Sequence, residues 1–364
     1  MKRYLIIFLL AVCTGMTVTA QTDLQSVAIV RLTRSEPITV RQLKNELERL
    51  TYQAMVQRLG RPPTAAELAR ETQNYKIEDK RQVLDGLINE KLVLQAAERD
   101  RITITDNEIN QQMNQLKTQM QQAITRMPTD EEFALAIKNE MNMDLPAFRD
   151  YLRRQAIVQK YLMTKKQDVF NSIKQPTEAE VINFYNLSKA SFVRPETVRF
   201  SMIQVPYGPD ATSKSRAKEL IDRLNREIGS NPSRFDEAVI RGQGPNSGYQ
   251  AGDAGYLPRN VAAQQRAGQD FIDTAFSLRQ GEVSKVIEGV PGYQIIKITE
   301  ALPQKALDLD EIAEPGNRMT VRQFISGSML QERQQEILIR AQSELVRELR
   351  TGNTFQIMEN NLNW

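Results

Sequence analysis

Carboxylates, lysines, hydroxyls and backbone groups are the chemical equipment of this chain, because its 364 residues include no histidine and one cysteine, Cys13. Without histidine there is no Ser-His-Asp or Cys-His catalysis, no histidine-ligated metal and no imidazole pH switch. A lone cysteine excludes an intramolecular disulfide and a cysteine zinc site. The glycine-rich run Gly242-Gln-Gly-Pro-Asn-Ser-Gly248 does not supply a phosphate cradle. It lacks the dinucleotide glycine spacing and no helix start follows, so its glycines serve turns. No cofactor and no metal are expected.

The elements that would position any site begin after a leader. Lys2 and Arg3 precede an apolar run, Tyr4 to Val12, and the segment closes on Val18-Thr19-Ala20. That order of charged, apolar and small residues is a secretory signal, too short to span a bilayer permanently. Cleavage after Ala20 would give a mature chain starting near Gln21. Leu10-Ala11-Val12-Cys13 also resembles a lipoprotein box, which would make Cys13 a lipidated N-terminus, although Val12 fits poorly where a small residue is usual. Both routes lead out of the cytoplasm, to the periplasm or its equivalent. Membrane association is expected only if Cys13 is lipidated.

The remaining chain is 40% hydrophobic and 26% charged, enough to build two or three folded domains. The formal charge of +3 falls to +1 when Lys2 and Arg3 leave with the signal. With no basic tract interleaved with aromatics, nucleic acid is not an expected partner.

Residues 34 to 190 read as successive helices. Four Thr-x-x-Glu capping boxes start them, at Thr64/Glu67, Thr105/Glu108, Thr129/Glu132 and Thr177/Glu180. Leu84, Leu87, Ile88 and Leu92 share one helical face, and Ile109, Met113, Leu116, Met120 and Ile124 another. Met113, Met120, Met127, Met141 and Met143 cluster there, either as core filling or as an adaptable binding surface. Near Pro195 the texture changes. Val198 to Val205 alternates like a strand, Lys214 to Ile228 is an amphipathic helix, and Phe271 to Leu278 is a short helix. Glu282 to Glu288 and Tyr293 to Thr299 read as a hairpin. A long helix, Thr320 to Arg350, opens on Thr320/Gln323 and carries Val321, Phe324, Ile325, Ile337, Leu338, Ala341, Leu345 and Leu349 in line. Thr354 to Met358 is a strand able to pair with Val27 to Leu32, so the two ends of the chain are expected to fold together.

Arg81-Gln-Val-Leu-Asp-Gly-Leu-Ile-Asn-Glu-Lys-Leu-Val-Leu94 and Ile102-Thr-Ile-Thr-Asp-Asn-Glu108 resemble the N-terminal region of SurA-type periplasmic chaperones. Phe148-Arg-Asp-Tyr-Leu-Arg-Arg-Gln155 resembles the later helix of that module. Gly252-Asp-Ala-Gly-Tyr256, Phe271-Ile-Asp-Thr-Ala-Phe276, Gly281-Glu-Val-Ser284 and Gly292-Tyr-Gln-Ile-Ile-Lys297 resemble a parvulin peptidyl-prolyl isomerase domain. The resemblance, to the SurA/PrsA type, covers nearly all of the mature chain. It implies an α+β multidomain protein: a helical SurA-like chaperone core built from N- and C-terminal segments, with a parvulin-like α/β domain inserted. The implied divisions are a signal peptide at 1–20, the SurA-like N-terminal helical domain at 21–195, the parvulin-like domain at 196–302, and a linker and returning helix at 303–364.

The departures from the family pattern fall on its site. Parvulins usually carry histidine in an Arg-x-Ser-His-Ile strand, and Arg199-Phe-Ser-Met-Ile203 places Met202 there. The second histidine, after Gly-Tyr in the last strand, is Gln294, and Pro245, Asn246 and Ser247 offer no acid or thiol before the Gly-Asp-x-Gly turn. Of the apolar residues that hold the substrate proline Phe271 is retained, while Ala254 and Ala267 replace the usual leucine and methionine. No catalytic residue is assigned. Met202, Gln294, Phe271, Ala254 and Ala267 are the candidate substrate-binding positions.

Prolyl isomerisation breaks no covalent bond and asks only that an amide with a barrier of about 18–20 kcal/mol be twisted. A desolvating pocket without proton transfer is therefore one possible catalyst. The resemblance implies an extracytoplasmic chaperone that binds unfolded or partly folded exported or outer-membrane proteins, with its parvulin domain catalytically degenerate. An active parvulin-type isomerase and a lipid-anchored envelope scaffold are the alternatives.

Overall fold

The computed structural model describes residues 23–73, 75–124, 126–208, 210–244 and 247–364. The expected leader with Cys13, and the loop positions Pro245 and Asn246, lie outside the described residues. The chain divides into two compact units. One is formed by the chain up to Ile173 with Arg333–Trp364, the other by Lys174–Glu332. None of the described helices is long and apolar enough to cross a membrane.

In the first unit the strand Ser26–Val30 is central in a three-stranded antiparallel sheet, flanked by Glu36–Thr39 and by Phe355–Ile357. The expected pairing of the chain ends is present, with Ala28 opposite Ile357, Ile29 opposite Gln356 and Val30 opposite Phe355. Val27, Ala28 and Val30 are all fully buried, so both faces of this strand are covered. The helix Ile77–Arg99 supplies Leu84, Ile88, Leu92 and Ala96, each one turn from the next, to the same core. Leu43 and Leu47 of Val40–Leu59, Tyr161 and Leu162 of Leu145–Lys165, and Ala341, Leu345 and Leu349 of the last helix complete it. A helical core is thus built from N- and C-terminal segments together. Truncating Leu84 or Ile88 to alanine would cost about 2–5 kcal/mol.

A satellite core lies among the helices Asp106–Ile124, Asp130–Met141 and Leu145–Lys165. Phe133, Ile137 and Phe148 are its buried centre, and Met113, Met120, Met141 and Met143 pack half-buried around them. Met127 stands apart, 53% exposed. Four of the five clustered methionines therefore fill space while keeping one side open.

All four Thr-x-x-Glu boxes close, as does Thr320/Gln323. A further box, Thr39/Gln42, starts Val40–Leu59, and Gly60 ends that helix in the left-handed conformation at φ 67°.

The second unit is built on a four-stranded antiparallel sheet in the order Gln250–Pro258, Thr197–Pro206, Gly292–Leu302, Ile287–Glu288. Ile203 and Val205 face the helices Ala211–Ile228 and Pro232–Gly242. Val198, Phe200 and Met202 face the opposite way, toward Val261–Ala267 and Gln269–Ser277. The expected strand over Glu282 to Glu288 is reduced to Ile287–Glu288 and a single bridge of Val283 with Lys297. Ser284 accounts for the interruption: its Oγ accepts the Ile296 N–H at 2.9 Å, a donor that a strand carbonyl would otherwise take.

A two-stranded ribbon, Val193–Arg194 with Lys305–Ala306, stands at the flanks of this sheet's chain segment. Beside it Val181, Tyr185, Leu307, Val321 and Ile325 form their own small core. The last helix runs Val321–Leu349. Phe324 and Leu338, expected in its buried line, are 49% and 40% exposed. Both lie off the row of four-residue steps that Val321, Ile325, Ile337, Ala341, Leu345 and Leu349 occupy.

Candidate functional site

Met202 sits mid-strand between Gly252 on one neighbour and Ile296 on the other. Met202 is half-buried and packs against the cluster that contains Phe200 and Phe271, as Ala267 does. Phe271 is held by the helix Gln269–Ser277, is 5% exposed, and meets Phe200 edge-to-face with ring centroids 5.6 Å apart. On the other side of Met202 the sheet is open, since a Cβ added to Gly252 would meet nothing within 4 Å.

Two cross-strand pairs farther along, beyond Ile203 and Ile295, lies Gln294, 6% exposed. Its Nε2 donates to Gln204 Oε1 at 3.1 Å. Gly289 presses on the same amide: a Cβ there would come 2.6 Å from Gln294 Oε1, so the turn from Gly289 to Gly292 must leave room for it. Gln204 also stands opposite Gln250, so three glutamines form one row across three strands. Gln204 and Gln250 were not candidates from sequence. Only the strand register brings them beside Gln294, and register leaves no local signal.

Ala254 does not share this face. It is exposed and unpaired, at the register shift where Phe200 opposes Gly255 and Ser201 opposes Asp253. Asp253 is engaged elsewhere, accepting Arg199 Nε at 3.1 Å and the Gly255 N–H at 3.0 Å. The Arg199 hydrogen bond, then the Gly255 N–H, holds its carboxyl below the usual range. Ser247 closes its own loop by donating to the Tyr249 carbonyl at 2.6 Å. The structure therefore gathers Met202, Phe271 and Ala267 in one apolar cluster, sets Gln294 two cross-strand pairs away, and leaves Ala254 outside. The groups so assembled are a thioether, amides and apolar surface. They can desolvate a peptide and hydrogen-bond its backbone, and none exchanges a proton near neutral pH.

A second concavity, of about 600 Å³, lies within the first unit. The helices Val40–Leu59 and Ile77–Arg99 form its walls, and the turn Met141-Asn142-Met143 closes one side, with Asn142 left-handed at φ 55°. Ile38, Leu87, Leu94, Met141 and Met143 give it apolar surface. Charged pairs rim it. Arg49 Nε donates to Glu46 Oε2 at 2.9 Å and its Nη1 to Gln53 Oε1 at 2.8 Å. Arg154 Nε donates to Glu90 Oε1 at 2.9 Å, and Lys91 pairs with Glu36. Burial pushes the Glu36 carboxyl up, but the hydrogen bonds from Lys91 and Gln95 outweigh it and the net shift is downward. The sequence pointed to Met141 and Met143 as residues of interest, but their partners come from three separate helices.

Residues 3–162 match the family model of the SurA-like N-terminal domain, and residues 176–314 that of the PPIC-type peptidyl-prolyl isomerase domain. Foldase protein PrsA of Clostridium botulinum is 23% identical over 291 residues, which cover 78% of this chain and 75% of that protein. Chaperone SurA of Alcanivorax borkumensis is 29% identical over 225 residues, covering 60% of this chain and 47% of that longer protein. A solved SurA-like chaperone of Campylobacter jejuni aligns over 92% of this chain and 99% of its own, with 14% identity and a TM-score of 0.38.

Proposed function

With a SurA-like N-terminal domain and a PPIC-type isomerase domain in one polypeptide, the chain belongs to the SurA/PrsA type, and we propose that it is an extracytoplasmic chaperone whose parvulin-like domain no longer catalyses. Its clients are unfolded or partly folded exported proteins. Capture needs no nucleotide: a protein that binds exposed apolar segments lowers the free concentration of aggregating species by mass action. The leader Lys2 to Ala20 directs it out of the cytoplasm, and the mass of the mature N-terminus distinguishes a free Gln21 from a lipidated Cys13.

One observation carries the loss of catalysis. At the two positions where parvulins keep histidine stand a thioether, Met202, packed against Phe271, and an amide, Gln294, whose Nε2 is spent on Gln204. The pocket keeps its aromatic pair, and neither of these two side chains could act there as acid or base.

The test uses the whole mature chain in two assays. It should suppress light scattering by a chemically denatured client at near-stoichiometric ratios, and it should leave the relaxation of a proline peptide within about twofold of the spontaneous rate. Absence of suppression sinks the chaperone reading. A saturable acceleration of the proline peptide sinks the degenerate reading and favours an active isomerase with an altered pocket.

A further inference from the structure

The cleft of the first unit carries a charge imbalance that its ion pairs conceal. Its rim holds four carboxylates, Glu36, Glu46, Glu48 and Glu90, and three cations, Arg49, Lys91 and Arg154. Each cation is matched within the rim: Arg49 by Glu46, Lys91 by Glu36 (which Arg34, outside the rim, also meets at 3.5 Å), and Arg154 by Glu90. Arg49 is further fixed by Gln53 and by the Tyr151 ring 5.3 Å away. Glu48 is exposed and makes no ion pair among the described residues. A ligand that approached a matched cation would have to break an existing pair, whereas a cation approaching Glu48 gains one outright.

The apolar surface beside Glu48 has the character of a pocket for varied side chains. Met141 is anchored at its sulfur, which accepts Gln53 Nε2 at 2.7 Å, and Met143 follows the left-handed Asn142 and is half-buried. An unanchored thioether such as that of Met143 re-packs around ligands of different shape. A volume of about 600 Å³ suits a few side chains of an extended segment and is too small for a folded domain.

We propose that this cleft captures an extended polypeptide segment in which an apolar side chain is followed or preceded by lysine or arginine. The apolar group enters beside Leu87, Leu94, Met141 and Met143, and the ammonium or guanidinium meets Glu48. The proposal rests on the chaperone reading above and names the class of client segment that the first unit selects.

The experiment is fluorescence anisotropy on the full mature chain with three labelled nonapeptides. All three share a central Leu-Met-Phe and differ in having lysine, serine or glutamate flanks. The lysine-flanked peptide should bind about 1.5- to fivefold tighter than the serine-flanked one, the glutamate-flanked peptide more weakly than both, and 0.5 M salt should compress the series. Glu48→Gln should abolish the preference and Glu48→Lys should invert it. Met143→Arg should weaken all three. A flank preference that survives Glu48→Lys, or binding untouched by Met143→Arg, overturns the assignment of segment and site. Suppressed client aggregation with no flank preference overturns this inference alone. Failure of both aggregation suppression and peptide binding overturns the chaperone reading with it.

Discussion

Lys80, on the helix Ile77–Arg99, and Trp364 are locked together across 284 positions: the Lys80 ammonium stands 3.8 Å from the centroid of the Trp364 indole. The same Nζ donates to the carbonyl oxygens of Leu362 at 3.1 Å and Trp364 at 2.6 Å, and Lys80 is 6% exposed. Lys80→Met removes the donor and leaves two carbonyls without it. The first unit should lose about 1–3 kcal/mol in urea unfolding, with hydrogen-exchange protection falling first at Phe355–Ile357.

The hydrogen bond from the Gln294 amide to the Gln204 amide is open to a double-mutant cycle. Gln294→Ala and Gln204→Ala should each destabilise the second unit, and the pair should show a coupling of about 0.5–1.5 kcal/mol in denaturant melts. Neither change should alter proline-peptide relaxation if the amide is structural.

Phe271 is 5% exposed and seated on Phe200, so Phe271→Ala should act as a core deletion, costing about 3–5 kcal/mol. Thermal unfolding would register it as a lowered transition of the second unit. An unchanged melting profile would mean that the ring serves a groove.

The ribbon of Val193–Arg194 with Lys305–Ala306 places Arg194 opposite Lys305. Replacing 196–302 by a short turn should therefore close as a hairpin and leave a folded chaperone. Aggregation suppression should persist in that variant, checked by light scattering at equal molar ratio.

The helix caps set an acid limit. Glu67 is lowered to about 2 by Arg61 and the Thr64 N–H, Glu108 to about 2 by the Thr105 N–H and hydroxyl with Lys160, and Glu132 to about 2 by Arg126 and the Thr129 N–H. A carboxyl whose folded pKa lies below its unfolded value stabilises above the unfolded value, 4.5, and loses that stabilisation as pH falls toward 2. Denaturant midpoints should be flat from pH 5 to 8 and decline below about 4.5. Glu108→Gln should flatten part of that decline, because glutamine keeps the cap geometry without the titration.

Legibility in the sequence followed the range of the interactions. Thr64/Glu67 or Thr320/Gln323 satisfy each other within four residues, so the capping boxes and the helices they open were readable. The pairing of 355–357 with 28–30 was readable because a long apolar helix and a terminal strand needed an acceptor, which the chain's first strand offered. Two short helices, Pro232–Gly242 and Val261–Ala267, carry little local signal: an Asn cap, at Asn231 and Asn260, is their chief start signal, and the segments lie among glycines and prolines that read as loop. The glutamine row and the cleft were not readable at all. Gln204 meets Gln294 through register, and Arg49, Glu90, Met143 and Arg154 meet through helix packing, and neither repeats along the chain.

The central position of Ser26–Val30 has a consequence for biogenesis. Synthesis delivers this strand more than half of the 364-residue sequence before Phe355–Ile357, the strand that completes its sheet. The contact from Arg31 to Gln356 spans 325 positions, a loop whose closure is entropically slow when the chain between is unfolded. Folding of the intervening Lys174–Glu332 unit removes much of that free length before the ends meet. The first unit is thus incomplete until Phe355–Ile357 has been made, and until then Ser26–Val30 has one open edge.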